Sequence, residues 1–157
     1  MKIQRHEKNP KLAELRELPL FAGLGKKQLR TIASNLDEVT VAKGERILVA
    51  GRSNDAVWIL LEGEAEMSLG GRVHLVLKRG DIFGLPSMFT HRESTADVVA
   101  KTDLRALVAS HLQFNGLVAD REVELRIKAA MFDRLKDEVY LLLHPLAKPR
   151  RKRAAAV

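Results

Sequence analysis

The sequence predicts a mainly β domain, a sandwich or barrel, carried between helices at its two ends. Three observations predict it. After residue 36, short runs rich in Val, Ile and Leu alternate with glycine-bearing separators at the spacing of roughly eight to twelve residues that marks sandwiches and barrels. Before that point apolar residues recur at helical intervals. After about Ser110 the pattern turns helical again, and between Asp120 and Leu143 there is neither Gly nor Pro. At 157 residues the chain suffices for one domain that buries about two thirds of its unfolded surface.

Taken in order, Leu12, Leu15 and Leu18, then Leu29, Ile32, Ala33 and Leu36, predict two short helices separated by Pro19 and by the Gly23-Leu24-Gly25 break. Leu20-Phe21 between them is an apolar anchor for the body. Strands are expected at 38–41, 46–49, 56–61, 65–69, 72–77, 96–100 and 104–108. Gly70-Gly71 joins two of them as a two-residue hairpin, since glycine enters positive φ without a Cβ clash. In the last helix, Phe132, Leu135, Val139 and Leu142 repeat at three, four and three, a seam of the coiled-coil kind, with Leu125 near the same face. Two readings stay open: the stripe packs on its own barrel, or residues 120–143 pair with a second copy.

Composition narrows the classes. An apolar fraction of 46% and a charged fraction of 30% are those of a globular protein, and no apolar run approaches the roughly 18 residues of a membrane span. With no cysteine, disulfides, thiol catalysis and sulfur-based zinc sites are excluded, and a cytoplasmic location is expected. The first ten residues lack the apolar core of a secretory signal. Of the net charge of +7, residues 1–11 carry +3 and residues 148–157 carry +5, leaving −1 for the remainder. The chain thus divides into a basic N-terminal arm (1–11), a near-neutral domain (12–143) and a basic tail (144–157) expected to be disordered. Lys148, Arg150, Arg151, Lys152 and Arg153 in that tail are candidates for nonspecific, salt-sensitive contact with nucleic acid or another polyanion.

The most informative stretch is Asp81-Ile82-Phe83-Gly84-Leu85-Pro86-Ser87-Met88-Phe89, followed by Ser94-Thr95-Ala96-Asp97-Val98-Val99-Ala100. It joins two earlier pieces. One is Leu20-Phe21 with Leu24 and Leu29; the other is Lys43-Gly44-Glu45-Arg46-Ile47-Leu48, then Gly51 and Asp55 to Gly63. In that order the three resemble the cyclic-nucleotide-binding domain of the catabolite activator and kinase regulatory-subunit superfamily, over roughly Leu18 to Leu135. The resemblance implies a β-roll (a double-stranded β-helix, or jelly roll) with N-terminal helices and a long C-terminal helix. It also implies a phosphate-binding cassette, in which a glycine turn starts a short helix beneath a cyclic phosphate.

Two departures qualify the implied site. In the family a glutamate follows the Phe-Gly pair and holds the ribose hydroxyl; here Leu85 stands there. An arginine that pairs with the phosphate is replaced by Ser94. Hydrogen bonds to charged groups are worth roughly 1.5–3 kcal/mol, so each loss weakens binding by about 10 to 150-fold. Candidate pocket residues are accordingly Phe83, Gly84, Leu85, Ser87, Met88, Arg92, Ser94, Thr95 and Ala96, with Arg92 the substitute phosphate contact. Leu85 could equally fill the pocket, leaving a fold kept for shape.

Catalysis finds no residues to stand on. His6, His74, His91, His111 and His144 are scattered without a His-x-His pair, and neither a Walker loop nor a nucleophile elbow is present. Too few residues follow Leu135 for a helix-turn-helix domain. The expectation is a non-enzymatic regulatory protein that senses a nucleotide-type second messenger, with a cyclic nucleotide or cyclic dinucleotide as candidate ligand and no certain cofactor, signalling through its C-terminal helix. The alternative is a ligand-free interaction module whose basic tail binds nucleic acid or another acidic partner.

Overall fold

The computed structural model describes residues 3–7 and 12–144. Nine strands form two antiparallel sheets: β1 (Ile3–Glu7), β2 (Asp37–Val41), β9 (Leu104–Ser110), β4 (Ala56–Glu62) and β7 (Ile82–Phe83) in one, and β3 (Arg46–Leu48), β8 (Ala96–Ala100), β5 (Ala65–Leu69) and β6 (Val73–Leu77) in the other. Alternation sets the inner faces. Along β5, Ala65, Met67 and Leu69 are buried while Glu66 and Ser68 are half-exposed, and β8 repeats the pattern. β4 breaks it, being buried from Val57 to Leu61. The reason is that β4 has two covered faces: Trp58 and Leu60 look into the roll, whereas Val57, Ile59 and Leu61 look out at the helices.

Two cores result. The roll interior holds Val39, Leu48, Trp58, Leu60, Met67, Leu77, Phe83, Val98 and Leu104, with the Trp58 and Phe83 rings parallel and their centroids 6.1 Å apart. The helix-side core holds side chains of α1 (Leu12–Glu17), the 3-10 turn Pro19–Phe21, α2 (Lys26–Ser34), α3 (Leu85–Thr90), α4 (His111–Val118) and α5 (Arg121–Leu143) against the outer face of the first sheet. Each fully buried Leu or Phe contributes about 1.5–3 kcal/mol by removal from water.

Charge also ties the helices to the sheet. Arg105 on β9 bridges to Glu14 on α1 at 2.6 Å, to Glu38 on β2, and to Glu62 on β4 at 3.3 Å. The Arg105 hydrogen bonds hold the Glu14 carboxyl below its ordinary pKa against the opposing effect of burial, and they hold Arg105 itself above its own. At the start of α5, Asp120 accepts from the Glu122 and Val123 backbone N–H groups and caps the helix. One turn on, Arg126 donates to the carbonyls of Leu20 and Ala22, so the Leu20-Phe21 anchor also fastens α5.

Two strands escape sequence patterning. β1 lies in the basic N-terminal arm and pairs antiparallel with β2, Ile3 opposite Val41; β7 has only two residues and pairs with β4, Trp58 opposite Phe83. Neither is long enough or apolar enough to show a period. The candidate tail residues Lys148, Arg150, Arg151, Lys152 and Arg153 lie outside the described residues.

The last helix settles one of the open readings. Its first half buries Val123 and Ile127 in the helix-side core, while Leu125, Phe132, Val139 and Leu142 are each more than half exposed. Leu135, the remaining member of the stripe, is half-buried, so most but not all of the stripe is left off this chain's own barrel. Further along α5, Arg134 Nη2 lies 3.3 Å from the Asp81 carboxylate in the turn before β7. Burial lowers the Arg134 guanidinium from its ordinary pKa and raises the Glu138 carboxyl one turn away, the Arg134 charge opposing that rise.

Candidate functional site

The cassette begins with a turn that only glycine can make. Gly84 has φ 86° and ψ 2°, and a Cβ there would lie 2.8 Å from the Ala56 carbonyl oxygen and 2.9 Å from Asn54 Nδ2. Asn54 Nδ2 donates to the Gly84 carbonyl at 3.0 Å, tying the turn to the β3–β4 loop. α3 then runs six residues, from Leu85. Pro86 is thus the second helical residue, and its missing N–H is one that no helical carbonyl would meet. The helix ends at His91 in a left-handed conformation, φ 54°, with its N–H donating to the Ser87 carbonyl at 2.9 Å.

The nine candidate pocket residues do not converge on one site. Leu85 and Met88 are buried in the helix-side core, on the opposite side of the first sheet from the roll interior. Leu85 therefore does not plug the roll; it helps hold the cassette to the helices. Phe83 and Ala96 belong to the roll interior. Gly84 makes the turn, and Ser87 is buried in α3 with its carbonyl occupied by His91. Arg92 and Thr95 are exposed.

Ser94 is buried, and its hydroxyl closes on its own strand, donating to the Ala96 carbonyl at 2.8 Å and accepting from the Ala96 N–H at 3.3 Å. Its backbone exchanges hydrogen bonds with the β3–β4 loop: its carbonyl accepts from Gly51 N–H and its N–H donates to the Arg52 carbonyl. The serine hydroxyl is spent on local backbone.

Beside the cassette lies a cavity of about 390 Å³ at one end of the roll. Its floor is apolar, from Val39, Ile47, Leu48, Trp58 and Val108, and its rim is polar, from Asp37, Arg52, Asn54, Asp55, Ser110 and Gln113. Ser94 is the one member of the candidate set on its wall. Sequence reading passed over the rim because Gly51-Arg52-Ser53-Asn54 looks like a strand separator. The available signal was that loops on a rigid scaffold carry function.

Among the described residues no group of three or more His, Cys, Asp or Glu is placed to hold a metal ion, and no helix is long and apolar enough to cross a membrane.

Two antiparallel sheets closing a roll, a glycine-started short helix on its side and a long helix after it define a β-roll domain with flanking helices. The model of the family described as "Cyclic nucleotide-binding domain" matches residues 38–121, more than half of the chain, and the chain belongs to that family. It is similar to the cAMP-dependent protein kinase regulatory subunit of Aspergillus niger, 32% identical over 116 residues, covering 73% of this chain and 28% of that protein. The corresponding regulatory subunit of Yarrowia lipolytica is 32% identical over 93 residues, covering 58% and 25%. The chain thus spans about a quarter of the length of these kinase regulatory subunits.

Among solved structures it is similar to the Thermus thermophilus catabolite activator protein, with a TM-score of 0.68 at 25% identity over 82% of this chain and 62% of that one. The regulatory subunit of a cAMP-independent protein kinase A from Trypanosoma brucei shares the fold, with a TM-score of 0.67 at 23% identity over 75% of this chain and 43% of that one. The roll with its flanking helices is therefore the fold of this regulatory superfamily.

Proposed function

We propose that this domain is a non-enzymatic regulatory sensor of a nucleotide-type second messenger, tuned away from tight cyclic AMP binding and signalling through α5. The observation that carries the reading is the contrast within the cassette. Its frame is intact, with Gly84 in the left-handed turn. Its two polar ligand positions are not: Leu85 is buried toward the helices and the Ser94 hydroxyl is taken by Ala96. Family membership supports the sensing role, and the lost contacts argue for weak binding of ordinary cyclic AMP.

A thermal-shift and calorimetry panel of cyclic AMP, cyclic GMP and cyclic dinucleotides tests it. One of them at about 100 times its dissociation constant should add roughly 2.7 kcal/mol of stability. No stabilisation by any, or nanomolar binding of cyclic AMP, overturns the reading. The signalling step needs the ligand to bind two positions of α5 with different affinity. Arg126 at the Leu20-Phe21 anchor and Arg134 at Asp81 are the contacts whose breaking would free the helix.

A second reading, a ligand-free interaction module, is favoured by the exposed stripe of Leu125, Phe132, Val139 and Leu142. Pairing of two copies through residues 120–143 would cover it and is compatible with sensing. Sedimentation of the chain beside a Phe132→Glu, Val139→Glu variant tests the pairing; an unchanged mass removes it. The polyanion role of the basic tail requires that deleting residues 148–157 abolish salt-sensitive DNA binding, and its persistence would discard that role.

A further inference from the structure

No residue of α5 lines the roll mouth, the cavity beside the cassette. The helix carries an outer face of its own. At 3.6 residues per turn, Leu125, Val139 and Leu143 fall within about 20° of Phe132 around the helix axis, opposite the face that buries Val123 and Ile127. All four are more than half exposed, and Leu143 reaches 71%. Phe132, Leu135, Val139 and Tyr140 also line an open apolar hollow together with Lys136. From Leu125 to Leu143 the row runs about 27 Å at 1.5 Å per residue. Single exposed apolar residues are ordinary, but a contiguous row of this length marks an interaction surface.

The charge on this face has one sign. Lys128 and Lys136 lie within about 40° of Phe132, whereas the five α5 carboxylates, Glu122, Glu124, Asp133, Asp137 and Glu138, lie about 80° or more away. Lys128 is held by Glu124 at 3.6 Å, and Lys136 is exposed and forms no ion pair with another described residue. Such a face suits an anionic partner better than a second copy of itself. In a parallel pair on the seam of Phe132, Leu135, Val139 and Leu142, Lys128 would fall on a core position and Lys136 would meet Met131 rather than a carboxylate. The sequence after the helix continues the same sign, with Lys148, Arg150, Arg151, Lys152 and Arg153 and no acid between His144 and Val157. Lys148 follows Leu143 by five residues, a reach of at most about 18 Å.

We propose that the outer face of α5 and the basic run after it dock this chain on an anionic phospholipid surface. The helix lies in the interface plane, with Phe132, Val139 and Leu143 toward the acyl boundary and the lysines at the headgroups. An apolar row with cations beside it binds in this way, and a cluster of Lys and Arg next to the helix adds attraction to acidic lipid. Long lysine stems keep the ammonium in water while their methylenes cover apolar surface. The helix does not span, since no helix among the described residues is long and apolar enough to cross a membrane. Nucleic acid would engage the basic run but would leave Phe132 and Val139 without an apolar partner. Docking needs no ligand in the roll, so it stands apart from sensing.

Flotation with vesicles tests it, using phosphatidylcholine alone and an equimolar mixture of phosphatidylcholine and phosphatidylserine. The full chain is compared with a Phe132→Glu, Val139→Glu variant, a Lys136→Glu variant and a chain lacking residues 148–157, thermal unfolding confirming that each is folded. The full chain should float with the mixed vesicles and bind phosphatidylcholine at least tenfold more weakly. The double variant and the shortened chain should each lose at least tenfold, and K136E should lose less. Added salt should weaken binding, because the surface attraction is screened within about 8 Å at 0.15 M. Should the shortened chain fail to fold, the double variant decides. Flotation undiminished in the double variant leaves only the basic run at work and overturns the docking face. Absence of flotation, or retention by double-stranded DNA but not by the mixed vesicles, overturns the proposal. So does a lipid-free dimer that the double variant splits, which gives the face to a second copy.

Discussion

The cassette and the roll mouth sit side by side, joined at Ser94 and by the Asn54 to Gly84 hydrogen bond, yet they are built oppositely. The cassette carries the recognisable motif, and its ligand positions are consumed by the fold: Leu85 and Met88 are core and Ser94 is satisfied by its own strand. The mouth matches no motif; a polar rim surrounds its cavity, and Asn54, Ser110 and Gln113 on that rim are bonded to neighbouring groups of the fold. Two positions of the family motif thus serve packing and local backbone bonding in this chain. The place to look for chemistry is where polar side chains face a cavity.

If the cassette is core, its interior should behave as core. Met88→Ala should cost about 2–5 kcal/mol in urea denaturation, the range for emptying a buried apolar site; a loss under about 1 kcal/mol would break the comparison. Gly84→Ala should cost about 2–4 kcal/mol, because the left-handed conformation alone costs a non-glycine residue about 1–2 kcal/mol and the new Cβ meets the Ala56 carbonyl. At the junction, Asn54→Ala strands the Ala56 N–H and the Gly84 carbonyl, and about 1–3 kcal/mol of lost stability should follow.

Acid extends the contrast to the helix side, where charge holds α1. The Glu14 pKa is depressed in the folded state, so its stabilisation is present above the ordinary carboxylate range and is lost as pH falls through the folded value. Glu14→Gln should therefore destabilise by about 1–3 kcal/mol at pH 7, and the gap to the parent should close in acid; a gap independent of pH would deny the Glu14 charge its part. The smallest effects belong to the exposed arginines. Arg52→Ala and Arg92→Ala should each alter stability by less than about 0.5 kcal/mol, so any ligand effect they show is a binding effect.

Most of the fold was legible in the sequence because its period was expressed. The seven strands expected from apolar runs are present within two residues at each end, and the long helix occupies Arg121–Leu143 against an expected 120–143. β1 and β7 were not legible, since five and two residues of backbone pairing leave no pattern of their own. The site was legible only as a frame. Phe83, Gly84, Leu85 and Ser94 could be placed on the cassette by order, but which side of the sheet Leu85 entered depends on the turn at Gly84 and on the helices that cover that sheet. Arg52, Asp37 and Gln113 carry no local signal at all; they lie far apart in the chain and meet only because the start of β2, the β3–β4 loop and α4 come together at one end of the roll.

By itself, the sequence determined the class of fold and the apolar stripe on the last helix, and its family resemblance marked the glycine turn at 84 and the departures from the family pattern at 85 and 94. The fold class and the stripe follow from periodicity, which is local, and the marked positions from the order of motifs along the chain. Tertiary structure alone decided that most of the stripe is left uncovered, that the cassette side chains divide between two cores and that the roll opens at Trp58. Those outcomes depend on which faces meet across the two sheets, a matter of long-range register and packing that no window along the chain contains.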